Sequence, residues 1–263
     1  MRTRWLVAVI LTIALGSACM PEWTVHPRGG PRVAAAGDSI LRQLESYGPT
    51  HPQSTRALTR SIQDAGWRAS VRGENGWRVE QIRDLAADAA ARGADGVILV
   101  AGVNDVVWIR QRRRPHVARE IVAAQIRGTL ADLRGVDCVI WPTVPFGPNY
   151  YYTGRRVDRL SVRRINTVLR REAEQRANLV VPEWAANLEE HPGYVRPDGL
   201  HLSATGEAAL QRVLLRAMST CLRALAPPTT VPPTTIPPTT TVPPTTIPPT
   251  TTVPEPSRQM PTR

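Results

Sequence analysis

Short apolar runs alternate with amphipathic stretches through the middle of the chain, between residues 32 and 225. Apolar runs of about four to eight residues are typical of buried strands, and longer segments with apolar residues three and four positions apart predict helices. The predicted strands are 32–37, 67–72, 96–101, 136–141 and 179–182. The predicted helices are 40–63 with a loop at 48–52, then 79–91, 117–133, 157–177 and 204–225.

This alternation predicts an α/β fold. Strands separated by helices of about ten or more residues form βαβ units, whose strands are parallel and carry helices on both faces. We therefore expect a three-layer α/β/α sandwich with a parallel, flavodoxin-like sheet of about five strands. Ligands of such sheets bind beyond the carboxyl ends of the strands, so functional residues are expected there.

The first residues differ from this middle part. Residues 1–19 contain two early arginines, an apolar run over 5–15 and small residues, as an export signal does. The apolar run is too short to span a bilayer comfortably. Cys19 follows directly, which indicates a lipoprotein signal with a lipid on this cysteine, although Gly16 stands where such signals have Leu.

The last residues also lack the pattern of a folded domain. Residues 226–263 form a Pro/Thr-rich tail, which predicts a disordered, extended spacer with candidate O-glycosylation sites. We interpret 20–31 as a linker and 32–225 as the single folded domain. The protein is then exported, and either secreted or attached to the bacterial cell envelope, with membrane contact only through a lipid anchor.

The charge is strongly positive. The formal net charge is +11, and all 33 basic residues are arginine. For an exported protein this favours an anionic envelope polymer as a partner rather than nucleic acid, and solvated arginines on helix faces are the alternative. The basic run 110–114, after the Asn104 segment, could contact an anionic substrate, and a solvated loop is the alternative. Scattered His and Cys residues predict no metal site, no cofactor is indicated, and we expect a monomer.

The cysteines allow one bridge. If Cys19 is lipidated or removed, Cys138 and Cys221 remain as a pair in an oxidising compartment. We predict a disulfide between these two residues. Two separate buried thiols are the alternative, because free cysteine behaves as a small apolar residue.

Polar clusters follow the predicted strands, and together they suggest a nucleophilic site. Ser39 follows the first strand, and Asp198 and His201 precede the last helix. A serine hydroxyl needs a base to remove its proton and a third group to orient that base, which are the roles we predict for His201 and Asp198. Taken singly, Ser39 is better explained as a helix N-cap, but the three residues together, in this order, favour the nucleophilic site.

Acyl chemistry also requires donors for the oxyanion of its tetrahedral intermediate. The candidates are the backbone N–H groups of Ser39 and Gly76 and the side-chain amide of Asn104. Gly73 competes with Gly76 for this role. Asn104 follows the most clearly buried strand within a Gly-x-Asn-Asp turn.

Four segments resemble the blocks of the SGNH (GDSL-like) hydrolase superfamily, in the family's order. They are GDS at 37–39, a lone glycine at 76, GVND at 102–105 and DGLH at 198–201. The resemblance covers about residues 32–222 and implies the same triad and oxyanion donors, with Asp38 and Asp105 as structural residues that fix loops. The GxSxG elbow of α/β-hydrolases is absent.

The resemblance implies a serine esterase that acts on O-acyl esters through an acyl-enzyme. A looser similarity over 163–206 to the SGNH domains of bacterial cell-wall O-acetyltransferases favours envelope glycans. Acylated small molecules, glycans and lipids all remain open as substrates. An O-acyltransferase with the same intermediate and a non-catalytic envelope-binding protein are the alternatives.

Aromatic residues at the end of the fourth predicted strand and in the segment after it could contact that substrate. Trp141, Tyr150 and Tyr151 are candidates for stacking on a sugar or lining an acyl pocket. They would otherwise cover the edge of the sheet.

Overall fold

The computed structural model describes residues 30–45, 57–145, 151–152, 155–156 and 159–225. Its strands are β1 (Arg32–Gly37), β2 (Arg68–Gly73), β3 (Gly96–Val100), β4 (Cys138–Ile140), β5 (Tyr151–Tyr152), β6 (Arg155–Arg156) and β7 (Leu179–Val180). Its helices are α1 (Ser39–Glu45), α2 (Leu58–Asp64), α3 (Val79–Ala91), α4 (Val103–Arg110), α5 (Pro115–Asp132), α6 (Arg159–Gln175), α7 (Trp184–Glu190) and α8 (Ala204–Leu225), with a 3-10 turn at Pro192–Tyr194.

Five parallel strands form the main sheet, in the order β2-β1-β3-β4-β7. Every residue of β3 is buried, as its apolar sequence predicts. Gly37, the last residue of β1, is opposite Gly73 of β2 and Val100 of β3. The three strands therefore end at the same level, and the chain leaves each of them at one edge of the sheet.

Two sets of helices cover the sheet, which confirms the predicted α/β sandwich. Helix α3 packs on α5 and α5 packs on α6, whereas α8 packs on α1, α2 and the strands β3 and β4. The buried residues of α3 recur at helical spacing and are Val79, Ile82, Leu85, Ala86 and Ala89.

Helix α8 lies close to the sheet for two reasons. Gly96 at the start of β3 leaves room for it, because a Cβ there would come within 2.6 Å of the Met218 sulfur. A disulfide also joins Cys138 of β4 to Cys221 of α8, with Cα atoms 6.0 Å apart. The predicted disulfide is thus confirmed.

Three elements were not predicted from the sequence. Helix α4 begins at Val103, inside the Gly-x-Asn-Asp segment expected to be a turn, and α7 and the β5-β6 hairpin are also additional. The region predicted as one interrupted helix contains the separate helices α1 and α2. These elements are short, and too few residues repeat in them for a clear periodic pattern of apolar positions.

None of the described helices combines the length and the apolar character needed to cross a membrane. The predicted export signal, Cys19 and the Pro/Thr-rich tail lie outside the described residues. Their assignments stay predictions.

Candidate active site

Ser39 lies at the carboxyl edge of the sheet, as the first residue of α1, and is partly buried. The turn before it is fixed by the backbone. Asp38 donates its N–H to the carbonyl oxygen of Val100 at 3.0 Å, and Glu74 donates to Gly37 at 3.1 Å. The ends of β1, β2 and β3 are therefore hydrogen-bonded to one another around the serine.

Asp198 and His201 form a pair in the loop before α8. Nδ1 of His201 lies 2.8 Å from Oδ2 of Asp198. The other carboxylate oxygen accepts the backbone N–H groups of Leu200 and His201, both at 2.9 Å. The loop thus folds around the carboxylate, and the ring directs Nε2 away from it.

The carboxyl group of Asp198 is held in its ionised form. Partial burial alone would raise its pKa, but the N–H of Leu200 and the ring and N–H of His201 outweigh this effect and lower the pKa below its usual value. An ionised carboxylate at Nδ1 favours a proton on that nitrogen and leaves Nε2 as a proton acceptor. This is the arrangement that a general base requires.

The histidine loop is bonded to the helix that begins with Ser39. Gln43, one turn after Ser39, is buried, and its side chain exchanges two hydrogen bonds with the backbone of Leu202. Leu202 directly follows His201. The structure therefore brings the histidine loop to α1, although the two segments are far apart in sequence.

Asn104 lies in the first turn of α4, beside the loop that follows β2. Its side-chain N–H₂ donates to the carbonyl oxygen of Trp77 at 2.8 Å, which leaves the second N–H of the amide for another acceptor. The next residue, Asp105, accepts the N–H of Val79 at 3.0 Å. The pair therefore holds the loop that contains Gly76 against the start of α4.

The two candidate glycines have different surroundings. A Cβ at Gly73 would lie 2.3 Å from the backbone nitrogen of Arg42, so this glycine permits α1 to pack on β2. Gly76 is exposed, has a φ of 77° and would have open space around a Cβ. Its left-handed backbone favours glycine, and its surroundings leave room for a substrate.

Two buried carboxyl groups support these loops. Burial raises the pKa of Asp38 to about 7 against the lowering effect of the Ile40 N–H, and the nearby Asp105 adds to the rise. Burial likewise raises the pKa of Asp105 to about 6, against the N–H of Val79 and the charge of Arg78. Among the described residues, Asp38 Oδ2 and Asp105 Oδ1 have no hydrogen-bond partner.

The aromatic candidates need one correction. Trp141 is 1% exposed, and its indole N–H donates to the carbonyl oxygen of Ala101 at 3.2 Å, so it belongs to the core and not to a substrate surface. The side chains of Tyr150 and Tyr151 lie outside the described residues. In the part of the chain that the structure describes, no cluster of His, Cys, Asp and Glu could hold a metal ion.

A profile of the GDSL-like lipase/acylhydrolase family matches residues 35–209, more than half of the chain. The chain belongs to this family. The match spans the segments that contain Ser39, Asn104, Asp198 and His201, and the protein is accordingly a hydrolase of the SGNH type.

Solved structures of an esterase and an acylhydrolase share the fold. The acetylxylan esterase Axe2 from Geobacillus stearothermophilus is similar with a TM-score of 0.55 and 22% identity, over 72% of this chain and 94% of Axe2. A lipase/acylhydrolase from Enterococcus faecalis is similar with a TM-score of 0.54 and 21% identity, over 74% of this chain and 97% of that protein.

A curated relative is similar over a shorter segment. The O-acetyltransferase OatA of Staphylococcus aureus is 34% identical over 70 residues, which are 27% of this chain and 12% of OatA. The similarity therefore concerns about a tenth of the length of that protein.

Sequence reasoning missed several residues of this acylhydrolase that support the site. Gln43 and Asn166 are buried amides that bond to backbone loops; Asn166 binds both the N–H and the carbonyl oxygen of Val144. Arg196 donates to the carbonyl oxygen of Leu202. The available signal was a polar residue on the apolar face of a helix, as at Gln43, but such a pattern does not identify its partner.

Proposed function

We propose that this acylhydrolase is an exported serine esterase that hydrolyses O-acyl esters, with Ser39, His201 and Asp198 as its triad. One observation carries the proposal. An ionised Asp198 lies 2.8 Å from Nδ1 of His201 in a loop that is hydrogen-bonded to the helix of Ser39. The export signal predicted over residues 1–19 supports the exported location, and lipidation of Cys19 stays a prediction.

The chemistry follows from the roles of these groups. Nε2 of His201 takes the proton of Ser39 as the serine oxygen attacks the ester carbonyl carbon. The oxyanion accepts hydrogen bonds from the N–H groups of Ser39 and Gly76 and from the Asn104 amide. The intermediate then expels the alcohol, which receives the proton from His201, and leaves an acyl-Ser39 ester. Water attacks this ester with His201 as base, the second intermediate expels the Ser39 oxygen, which regains a proton from His201, and the carboxylic acid is released.

The proposed substrates are short acyl esters, acetyl esters above all, on glycans of the cell envelope. Two relatives support this choice, since one is named an acetylxylan esterase and the other an O-acetyltransferase. The net charge of +11 is consistent with an acidic envelope polymer as the carrier of the ester.

Transfer of the acyl group to a sugar hydroxyl is the second candidate function. It uses the same acyl-enzyme and differs only in the nucleophile of the second step. The similarity to OatA over 70 residues is the observation that favours it.

The test is hydrolysis of p-nitrophenyl acetate and longer p-nitrophenyl esters by the full-length protein. We expect Ser39→Ala to lower kcat by about 10³-fold or more, because alanine has no hydroxyl to form the proposed acyl-enzyme. The matched control is Ser219→Ala on α8, which should retain the native rate. Equal rates for Ser39→Ala and the native protein would refute the triad.

Hydrolysis and transfer are then separated by acceptor competition. With chitooligosaccharides added to the p-nitrophenyl acetate reaction, an esterase releases acetate and p-nitrophenol in equal amounts. A transferase releases less acetate than p-nitrophenol and forms acetylated sugar, which mass spectrometry detects. No turnover under either condition would favour a non-catalytic envelope-binding protein.

A further inference from the structure

Gln43 lies in a position to couple the nucleophile to the base. It follows Ser39 by four residues, so both side chains project from the same side of α1. Its amide nitrogen donates to the carbonyl oxygen of Leu202 at 2.6 Å, and its amide oxygen accepts the N–H of Leu202 at 3.1 Å. A single side chain therefore binds both backbone groups of the residue after His201.

The orientation of this amide is determined by its partners. The nitrogen of Gln43 also donates to Oε1 of Glu207, in the first turn of α8. If the amide were turned over, its oxygen would face two acceptors, the Leu202 carbonyl and the Glu207 carboxylate. Gln43 is only 8% exposed, so water cannot readily replace these bonds.

Arg196 supports the same loop. Its backbone N–H donates to the carbonyl oxygen of His201 at 2.8 Å, and its Nε donates to the carbonyl oxygen of Leu202 at 2.7 Å. Its guanidinium lies 3.4 Å from Oε1 of Glu207, which is 2% exposed. Gln43 and Arg196 thus both donate to the carbonyl oxygen of Leu202, and both contact Oε1 of Glu207.

We propose that Gln43 is a positioning residue that sets the place of His201 relative to Ser39 through its hydrogen bonds to Leu202. This inference rests on the proposed roles of Ser39 and His201. A general base must lie within hydrogen-bond reach of the proton it removes, so a shift of about 1 Å in the loop can cost about 10²-fold in rate. Gln43 does not itself touch the reacting atoms.

Gln211 offers a matched control. It is also a buried glutamine, 6% exposed, and it also joins α8 to α1, through a hydrogen bond from its amide to the Leu44 carbonyl oxygen at 3.4 Å. Its amide oxygen accepts the hydroxyl of Ser61 on α2 at 3.1 Å. Gln211 therefore shares the packing role of Gln43, but these two bonds tie it to α1 and α2 and not to the histidine loop.

The first experiment compares Gln43→Ala and Gln211→Ala in the full-length protein. Both variants should lower Tm. Only Gln43→Ala should lower kcat for p-nitrophenyl acetate, by about 10- to 100-fold with KM within about threefold, since the base is displaced and not the binding surface. Equal losses of kcat in the two variants would overturn the proposal, because packing alone would then explain them.

The second experiment exchanges amide and carboxylate. Gln43→Glu is nearly isosteric but places a carboxylate against Glu207 and the Leu202 carbonyl, and kcat should fall at least as far as in Gln43→Ala. Adding Glu207→Gln restores a donor beside residue 43, and kcat should recover by about tenfold. No recovery, with both variants folded by circular dichroism, would count against the proposal.

A third measurement does not depend on catalysis. Amide hydrogen exchange of Leu202 should accelerate by about tenfold or more in Gln43→Ala and stay near the native rate in Gln211→Ala. If the native protein hydrolyses no ester, the proposed esterase function fails, while this measurement still tests the contact. Faster exchange at Leu202 with an unchanged kcat in an active enzyme would overturn the positioning role.

Discussion

At the scale of single residues, Asp198 determines which nitrogen of the His201 ring carries the proton. Its Oδ1 accepts two backbone N–H groups, of Leu200 and His201, and its Oδ2 faces the histidine ring. In Asp198→Asn the amide oxygen would keep the backbone bonds, so the amide N–H₂ would face Nδ1. That ring nitrogen would become an acceptor, and Nε2 would carry the proton.

We therefore expect Asp198→Asn to lower kcat by about 10²- to 10⁴-fold while the loop keeps its structure, because a protonated Nε2 cannot accept the serine proton. The measurement is steady-state hydrolysis of p-nitrophenyl acetate, with circular dichroism as the check on folding. Activity within about threefold of the native enzyme would contradict the assigned role.

Asp105 is a second single residue with a predictable effect: its raised pKa makes the stability of the fold depend on pH. Its folded pKa of about 6 lies above the ordinary value of 3.8 because it is buried. A raised carboxyl pKa stabilises the fold below the unfolded pKa, and this contribution is lost as the pH rises through the folded pKa. The free energy of unfolding of the native protein should therefore fall by up to about 3 kcal/mol between about pH 4 and pH 6, as Asp105 loses its proton.

Asp105→Asn should remove this part of the pH dependence, since an amide stays neutral and its oxygen can still accept the Val79 N–H. Urea denaturation at pH 4, 5, 6 and 7 measures the difference between the native and variant free energies of unfolding. Asp137→Asn, at an exposed position, is the control and should retain the native profile. A constant difference between native protein and Asp105→Asn would refute the prediction.

At the scale of elements, α4 shows how tertiary contacts produce a helix that local sequence does not predict. Residues 103–110 are rich in Val and Ile, which have only modest helix propensity. Asn104 and Asp105 bind the backbone of Trp77 and Val79, which fixes the first turn of α4 against the start of α3. The longer helices were predictable because their apolar periodicity extends over more residues, and the strands because they are short apolar runs between turns.

The disulfide joins two elements of the core, the strand β4 and the helix α8, across 83 residues. In the unfolded state the bridge closes a long loop and so restricts the conformations of the chain. Breaking it increases the conformational entropy of the unfolded chain, so the bridge should contribute about 2–4 kcal/mol to the free energy of unfolding. Reduction of the native protein should lower the free energy of unfolding in urea by this amount. The Cys138→Ala/Cys221→Ala variant is the control: it should have a lower stability from the start and be insensitive to reductant. A reductant effect of equal size in that variant would contradict the prediction.

At the scale of the whole molecule, the arginines that the structure describes differ in their surroundings. Some pair with acidic residues of other elements: Arg83 of α3 lies 2.6 Å from Asp132 of α5, and Arg170 of α6 lies 2.7 Å from Glu183, the residue before α7. Arg112, within the run 110–114, instead lies over the ring of Trp108 at 4.4 Å. Solvated arginines on the surface of the fold therefore account for some of the basic residues. The chain as a whole still has a formal net charge of +11.

This excess predicts binding to acidic polymers that is weakened by salt. The full-length protein should be retained on immobilised poly-glutamate at low ionic strength and released before about 1 M NaCl, where charges are screened beyond about 3 Å. Hen lysozyme, another basic protein, calibrates the column. Passage of this protein through the column at low salt would exclude a general affinity for polyanions.

The sequence by itself determined the α/β class, the order of the main elements and the segments that carry Ser39, Asn104, Asp198 and His201. These features are local, because apolar periodicity and a short motif are each written within a few neighbouring residues. The disulfide could also be expected, since only Cys138 and Cys221 remained to pair within the predicted domain.

Only the tertiary structure decided which side chains meet across the chain. Gln43 binds Leu202 over a separation of 159 residues, Gly73 is required where α1 crosses β2, and Trp141 is enclosed in the core. A sequence pattern shows that a polar group will be buried, but it does not show which backbone group will satisfy it. That partner is chosen when helices and strands pack, because each buried polar group must find a hydrogen bond in the space that remains.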